Sequence, residues 1–509
     1  MPSQRTITPD VQAVEKAIDA EYLKNDLSRL SFSEAAWYFL AFCEETQLKY
    51  LGNDGSNGRQ DLACHVDQIV NNMKMPLRWL FQSCGAGTNI PRRFSDDYYQ
   101  ASWDLSNLAH EYAWFETAYV YASADVITLQ LHGDTIIARM PFRDDVRYEA
   151  YDRLCIDESP AVDKESLAAF FGNIEETVTV SHEHFRYRLN PRIVSQGLDV
   201  LSPLLNQFWL PASWELPRYT FGEYCSVLST LRVLAMIHHI ARVEAVRQGC
   251  VGMGYLDSVL LMDESELSNR LRRYTGFDAK VVNEIVRDTT FGDCGIRRPD
   301  PAIQPLIPLS SDRIAISPAL FLGSNIERNF TVLLNRLPEE KKAYSQLSNE
   351  REDISRQRII DRLESLKLRF WQGKLSGGDE LPDLDLAIID DARRSCLILE
   401  LKAFIEPAEP REVLEKSKEV ARGVSQIKLL QNAFQLNPRL LADPLKIGDT
   451  YDVVFAVASE TSIGTPNVQD ESVPVVRCTH LVRRLLAEKS LSAVGKWLRT
   501  REYLPVEGK

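Results

Sequence analysis

Leu381-Pro-Asp-Leu-Asp-Leu-Ala-Ile-Ile-Asp390 runs through Asp391-Ala-Arg-Arg-Ser395 into Cys396-Leu-Ile-Leu-Glu-Leu-Lys-Ala-Phe404. In an extended chain alternate side chains share a face, so Glu400 and Lys402 point one way and Leu399, Leu401 and Ala403 the other. Two polar groups thus emerge together from an otherwise apolar strand. Asp383 and Asp385 share a face of the preceding strand, and the short turn at 390–395 makes the two strands a hairpin. Two carboxylates and an amine can then meet.

A buried carboxylate pair is costly unless something positive neutralises it, because like charges repel and desolvation penalises both. A divalent cation meets that need. Oxygen ligands select Mg²⁺ or Mn²⁺ over zinc, and Mg²⁺ keeps waters that a neighbouring Lys402 can orient for attack on phosphorus. The chemistry favoured is phosphodiester hydrolysis. A bare Glu-x-Lys should occur on the order of twice by chance in a chain of this length, so the strand context carries the weight. The plainer alternative is a solvated salt bridge between Glu400 and Lys402, with Asp383 and Asp385 as turn residues.

Outward from this segment, the chain reads as a long polar helix over 338–367, an extended stretch at 368–375, Gly377-Gly378, strands at 384–389 and 396–404, and a helix at 412–434. A strand at 453–458, an extended stretch at 473–476 and helices at 480–489 and 491–499 follow. This α-β-β-β-α-β order predicts a mixed sheet flanked by helices. Pro382-Asp383, Asp385 and Glu400-x-Lys402 within that order resemble the PD-(D/E)XK nuclease superfamily, the restriction-endonuclease-like fold, over about 340–480. The resemblance implies that Asp385 and Glu400 are metal ligands with the carbonyl of Leu401, that Asp383 is a secondary ligand, and that Lys402 positions or activates water. It also implies a Glu in the first helix and a Gln in the helix after the Lys strand. Glu352 is the candidate for the first, with Glu350 and Glu364 competing, and Gln426 for the second, with Gln431 competing. Lys416, Lys418, Arg422 and Lys428 lie on that later helix, as a phosphate path or as a solvated face.

The first 310 residues read as mainly helical with small β insertions, a hairpin over 126–140 and a strand over 177–189. Proline-rich 299–308 suggests a boundary between 300 and 330, which separates 1–310 from a nuclease-like domain at 320–509. No family resemblance attaches to the first part. Ser83-Cys-Gly-Ala-Gly-Thr88 lacks the Lys-Ser/Thr of a phosphate-binding loop.

Composition narrows the setting. At 509 residues, with 44% hydrophobic and 26% charged residues, the chain fits neither a disordered nor a fibrous class. The start Met1-Pro-Ser-Gln-Arg5 has no apolar run of a signal peptide, and 200–214, the longest uncharged stretch, holds Pro203 and Pro211. Nine scattered cysteines without a C-x-x-C pair read as reduced thiols, and His182 with His184 or His238–His239 as ordinary histidines. A cytoplasmic protein with no membrane partner is expected. The formal charge of −13 lies wholly before residue 321, since Phe321 to Lys509 holds 29 Lys and Arg against 29 Asp and Glu. The neutral C-terminal part thus leaves room for a basic groove, and the resemblance implies a nucleic-acid partner, DNA rather than RNA. The acidic N-terminal part is expected to dock a protein partner, self-associate or restrain the enzyme, unless Arg92-Arg93 or Arg270-Arg272-Arg273 presents a basic face. A restriction, defence or DNA-processing endonuclease is the leading expectation, against a catalytically silent nucleic-acid-binding or scaffold protein.

Overall fold

A computed structural model describes residues 11–53, 59–91, 95–132, 135–139, 147, 151, 163–181, 184–205, 208, 210–250, 257–375, 381–407 and 409–505. Two compact units interleave along the chain, one of Glu116–Glu158 with Ser345–Lys509, the other of Pro9–Phe115 with Ser159–Tyr344. A single cut at 310–320 therefore does not describe the partition. The proline-rich segment read as a border instead folds within the second unit. Leu306–Pro308 and Leu260–Asp263 both pair antiparallel with the central strand Arg313–Ile316, whose Ile314, Ala315 and Ile316 are buried.

The unit holding the quoted segment is built on a five-stranded mixed sheet. Its elements in chain order are α1 (Lys341–Leu363), β1 (Arg369–Gly373), β2 (Leu384–Asp390), β3 (Ser395–Lys402) and α2 (Pro410–Leu436). After them come α3 (Arg439–Leu445), β4 (Asp452–Ser459), β5 (Val475–Arg477), α4 (Cys478–Glu488) and α5 (Leu491–Arg499). The spatial order is β5-β4-β3-β2-β1, with β1, β2 and β3 antiparallel and β3, β4 and β5 parallel. The expected order of elements is thus present, with α3 the addition that the sequence did not signal. Gly377-Gly378 lies outside the described residues.

Strand alternation sorts the two faces. Leu397, Leu399 and Leu401 lie in register with Val454, Ala456 and Ala458, and α5 packs closely on that face: a Cβ on Gly495 would meet Val454 Cγ2 at 2.7 Å. The opposite face carries Glu400 and Lys402, in register with Val457 and Ser459. There α2 buries Ser417, Val420, Gly423, Val424, Ile427 and Leu430. At the far end, Asp390 caps the β2–β3 turn, its carboxylate accepting from Arg393 N at 3.1 Å, and Arg394 takes the left-handed conformation at φ 49° that tight turns need. The hairpin near the start of this unit pairs Thr128–His132 with Thr135–Arg139; its turn at Gly133-Asp134 lies outside the described residues.

The second unit is mainly helical around Phe221–Arg247, which opens with a Thr220–Glu223 capping box. Among the described residues this helix is long and apolar enough to cross a membrane by length and composition, and 83% of its most apolar window is buried inside the protein. The strand expected over 177–189 is two short antiparallel strands, Thr179–Ser181 and His184–Arg186. His238 is a satisfied core residue, sharing a hydrogen bond with Tyr187 Oη at 3.0 Å and contacting the Asp257 carbonyl at 2.8 Å. His182 and Arg92-Arg93 lie outside the described residues.

One buried carboxylate makes this unit sensitive to pH. Glu44 is fully buried and accepts from Ser317 Oγ and from Ala319 N at 2.9 Å, at the start of helix Pro318–Leu322. Burial outweighs these donors and pushes its carboxyl up to about 7 from an ordinary 4.5. The native state therefore holds a proton that the unfolded chain has released, and Glu44 withdraws stability as pH rises from 4.5 through 7. Burial depresses His238 to about 3 and His239 to about 4, so these two act oppositely and withdraw stability as pH falls below 6.5. Glu44→Gln keeps the acceptor oxygen and removes the titration. Its stability advantage over wild type, measured by urea unfolding at a series of pH values, should grow above pH 4.5 and level near 7 at about 3 kcal/mol. A pH-independent difference would exclude Glu44 as the titrating group.

Candidate functional site

The site is assembled where β2 begins and β3 ends. Continuing the β2–β3 register one step past Leu386 and Leu399 sets Asp385 opposite Glu400, on one face of the sheet. Asp385 Oδ2 accepts from Leu401 N at 2.8 Å, which ties the carboxylate to the neighbouring strand. Glu400 is 2% exposed. Its Oε1 lies 2.7 Å from Lys402 Nζ, and the same ammonium donates to Gln426 Oε1 at 3.3 Å. Glu352 on α1 completes the group: the Asp385 charge lies close enough to oppose its ionisation, and it pairs with Arg356 at 3.3 Å.

Electrostatics follows from crowding. Burial first, then the Glu400 charge, pushes Asp385 up to about 6, against the pull of the Leu401 N–H, Lys402 and Arg356. Glu400 is raised by burial despite Lys402, and Glu352 by burial and then by Asp385. Three carboxylates share two nearby cations, so a cation-sized deficit of positive charge remains.

The structure thus gathers Asp385, Glu400, Lys402, Gln426 and Glu352, and it separates their competitors. Gln346 donates to Glu350 at 2.7 Å along an exposed stretch of α1. Glu364 is exposed beyond the other end of that helix. Gln431 donates to the Ser472 carbonyl at 3.5 Å. Asp383 stands exposed ahead of β2 and takes no part in these contacts. On α2, Lys416, Lys418 and Lys428 pair with Glu419, Glu415 and Asp470. The solvated-face reading therefore holds for these three, and only Arg422 stays an exposed cation with no ion pair among the described residues.

Two further residues shape the site. A Cβ on Gly423 would lie 2.8 Å from Lys402 Cε and 3.3 Å from Glu400 Cγ, so only glycine lets α2 come this close to the ion pair. Its signal in the sequence was a glycine inside a helix, which costs about 1 kcal/mol relative to alanine and marks a close approach. Arg356, one turn beyond Glu352, had no distinguishing signal.

The donor set suits a hard divalent cation. Its ligating groups are all oxygen, and Mg²⁺ is commonly held by one or two carboxylates with waters and phosphate making up the rest. Among the described residues no three His, Cys, Asp or Glu side chains form a ready-made ligand cluster. Comparison with known proteins adds no relative: no family model, curated protein or solved structure matches the chain.

Proposed function

We propose that the chain is a metal-dependent nuclease that hydrolyses phosphodiester bonds of DNA, as the resemblance to the PD-(D/E)XK superfamily implies. The observation that supports it is the convergence of Asp385, Glu400, Lys402, Gln426 and Glu352 from two strands and two helices on one partly buried face. Asp385 and Glu400 would hold Mg²⁺ or Mn²⁺ with the carbonyl of Leu401, and Glu352 stands beside them. When bound, the cation would neutralise the carboxylates and polarise a phosphoryl oxygen. Lys402, braced between Glu400 and Gln426, presents an ammonium to orient a water or to meet phosphate charge. In this reading the enzyme works in the cytoplasm in defence, restriction or DNA processing, and the helical unit docks a partner or a second copy.

The direct test incubates purified protein with plasmid, linear duplex, single-stranded DNA and RNA in Mg²⁺, Mn²⁺ and EDTA. Metal-dependent cutting of DNA is expected. Metal binding with no cutting of any substrate would favour the silent, nucleic-acid-holding alternative.

Metal binding can be read without cleavage. The Asp385 carboxyl is raised in the folded state, so the metal-free protein loses stability as pH rises from about 4 through 6 and stays weakened above. Asp385→Asn keeps an acceptor for Leu401 N and removes the charge, so at pH 8 in EDTA it should be more stable by about 1–3 kcal/mol. Mg²⁺ should raise the melting temperature of wild type and barely move that of the variant. Equal metal shifts in both proteins would place the metal elsewhere.

A further inference from the structure

The buried stripe of α1 is Leu347, Arg351, Ser355, Ile359 and Leu363, one residue every fourth position. An arginine and a serine sit where a helix normally turns aliphatic side chains toward a sheet. Arg351 is 5% exposed, and its Nε donates to Glu460 Oε2 at 2.9 Å. Glu460, 3% exposed, follows directly after β4. Its own N–H donates to the carbonyl of Lys402 at 3.1 Å. Thr461 Oγ1 next to it donates to the carbonyl of Phe404 at 3.3 Å. The segment after β4 therefore braces the end of β3, and Arg351 ties that brace to the helix whose next residue is Glu352.

Stability alone is a poor account of this pair. Removing two charges from water is expensive, and apolar side chains of similar volume often serve a core as well or better. Arg351 Nη1 is buried with no hydrogen-bond partner among the described residues, so the pair is not fully compensated. What it does is connect the backbone at Lys402 with the helical residue adjoining Glu352.

We infer that Arg351 and Glu460 form a positioning clasp, which holds Lys402 and Glu352 in mutual register without touching substrate. What the clasp serves rests on the nuclease reading; where it sits does not. A displacement of about 1 Å in a reacting group can cost on the order of 100-fold in rate, so a modest slackening here is measurable.

The test replaces both charges at once, Arg351→Met with Glu460→Met, because a single replacement takes this partner from a charge that stays buried. The expected double variant melts within a few degrees of wild type, loses at least about 10-fold in kcat with little change in KM, and shows increased reductive methylation of Lys402 by mass spectrometry. Arg351→Lys, which keeps the charge but not the planar fork, should recover part of the rate, and it stands in if the double variant does not fold. A folded double variant that cuts and labels like wild type overturns the clasp. If wild type cuts nothing under any metal, the nuclease reading falls, and Lys402 labelling still decides the clasp.

Discussion

Glu400→Gln and Lys402→Ala should each lower metal-dependent cleavage by about 10³-fold or more while the protein stays folded. Glu400 is buried at the centre of the group and serves two neighbours, facing Asp385 across the strand pair and holding Lys402 Nζ at 2.7 Å. The amide fills the same space, so packing survives and only the charge is lost. Lys402 is the cation that Gln426 and Glu400 jointly hold. In the proposed mechanism both side chains serve one unit of metal, water and phosphate, so the double variant should be no worse than the poorer single one. Single-turnover assays on plasmid in Mg²⁺, with circular dichroism melts as the control for folding, make the comparison. Activity of Glu400→Gln within a few-fold of wild type would sink the assignment.

The second large effect comes from a single methyl group. Gly423→Ala places a Cβ 2.8 Å from Lys402 Cε, closer than such atoms normally approach. That atom is near the end of a flexible side chain, so the lysine swings aside and global stability changes little. The ammonium then leaves its position between Glu400 and Gln426, and a shift of this size costs on the order of 100-fold in rate. The expected result is a protein with near wild-type melting temperature, metal-induced stabilisation intact and kcat down by about that factor. Loss of metal stabilisation instead would mean that the methyl group had displaced Glu400, whose Cγ lies 3.3 Å away.

Some of this site was readable from local pattern. Alternation in 396–404 puts Glu400 and Lys402 together wherever the strand lies, and a short turn sets Asp385 opposite Glu400 by counting residues. The choice among Glu350, Glu352 and Glu364 was of another kind, because all three lie on one polar helix. Glu352 joins because Leu347, Arg351, Ser355, Ile359 and Leu363 face inward and leave the adjoining position at the edge of that buried stripe. Gln426 prevails over Gln431 because Gly423 brings its turn of α2 against Lys402.

The reading of 300–330 failed for the converse reason. Prolines at 299, 301, 305 and 308 resemble a linker, yet Leu306, Ile307, Ile314, Ala315 and Ile316 find strand partners that bury them. Turn-forming residues mark where a chain bends, whereas strand pairing and burial decide whether the bend lies inside a domain.

By itself, then, the sequence determined the strand periods, the order of elements in 340–499, and the shared face of Asp385, Glu400 and Lys402, since these depend on the geometry of a few successive residues. Tertiary structure alone decided which helical carboxylate and amide join them, the contact at Gly423, the pairing of Arg351 with Glu460, and the interleaving of the two units. Those outcomes depend on how separate elements dock, and docking is selected by the burial and close packing of whole faces, a property that no short stretch of residues carries.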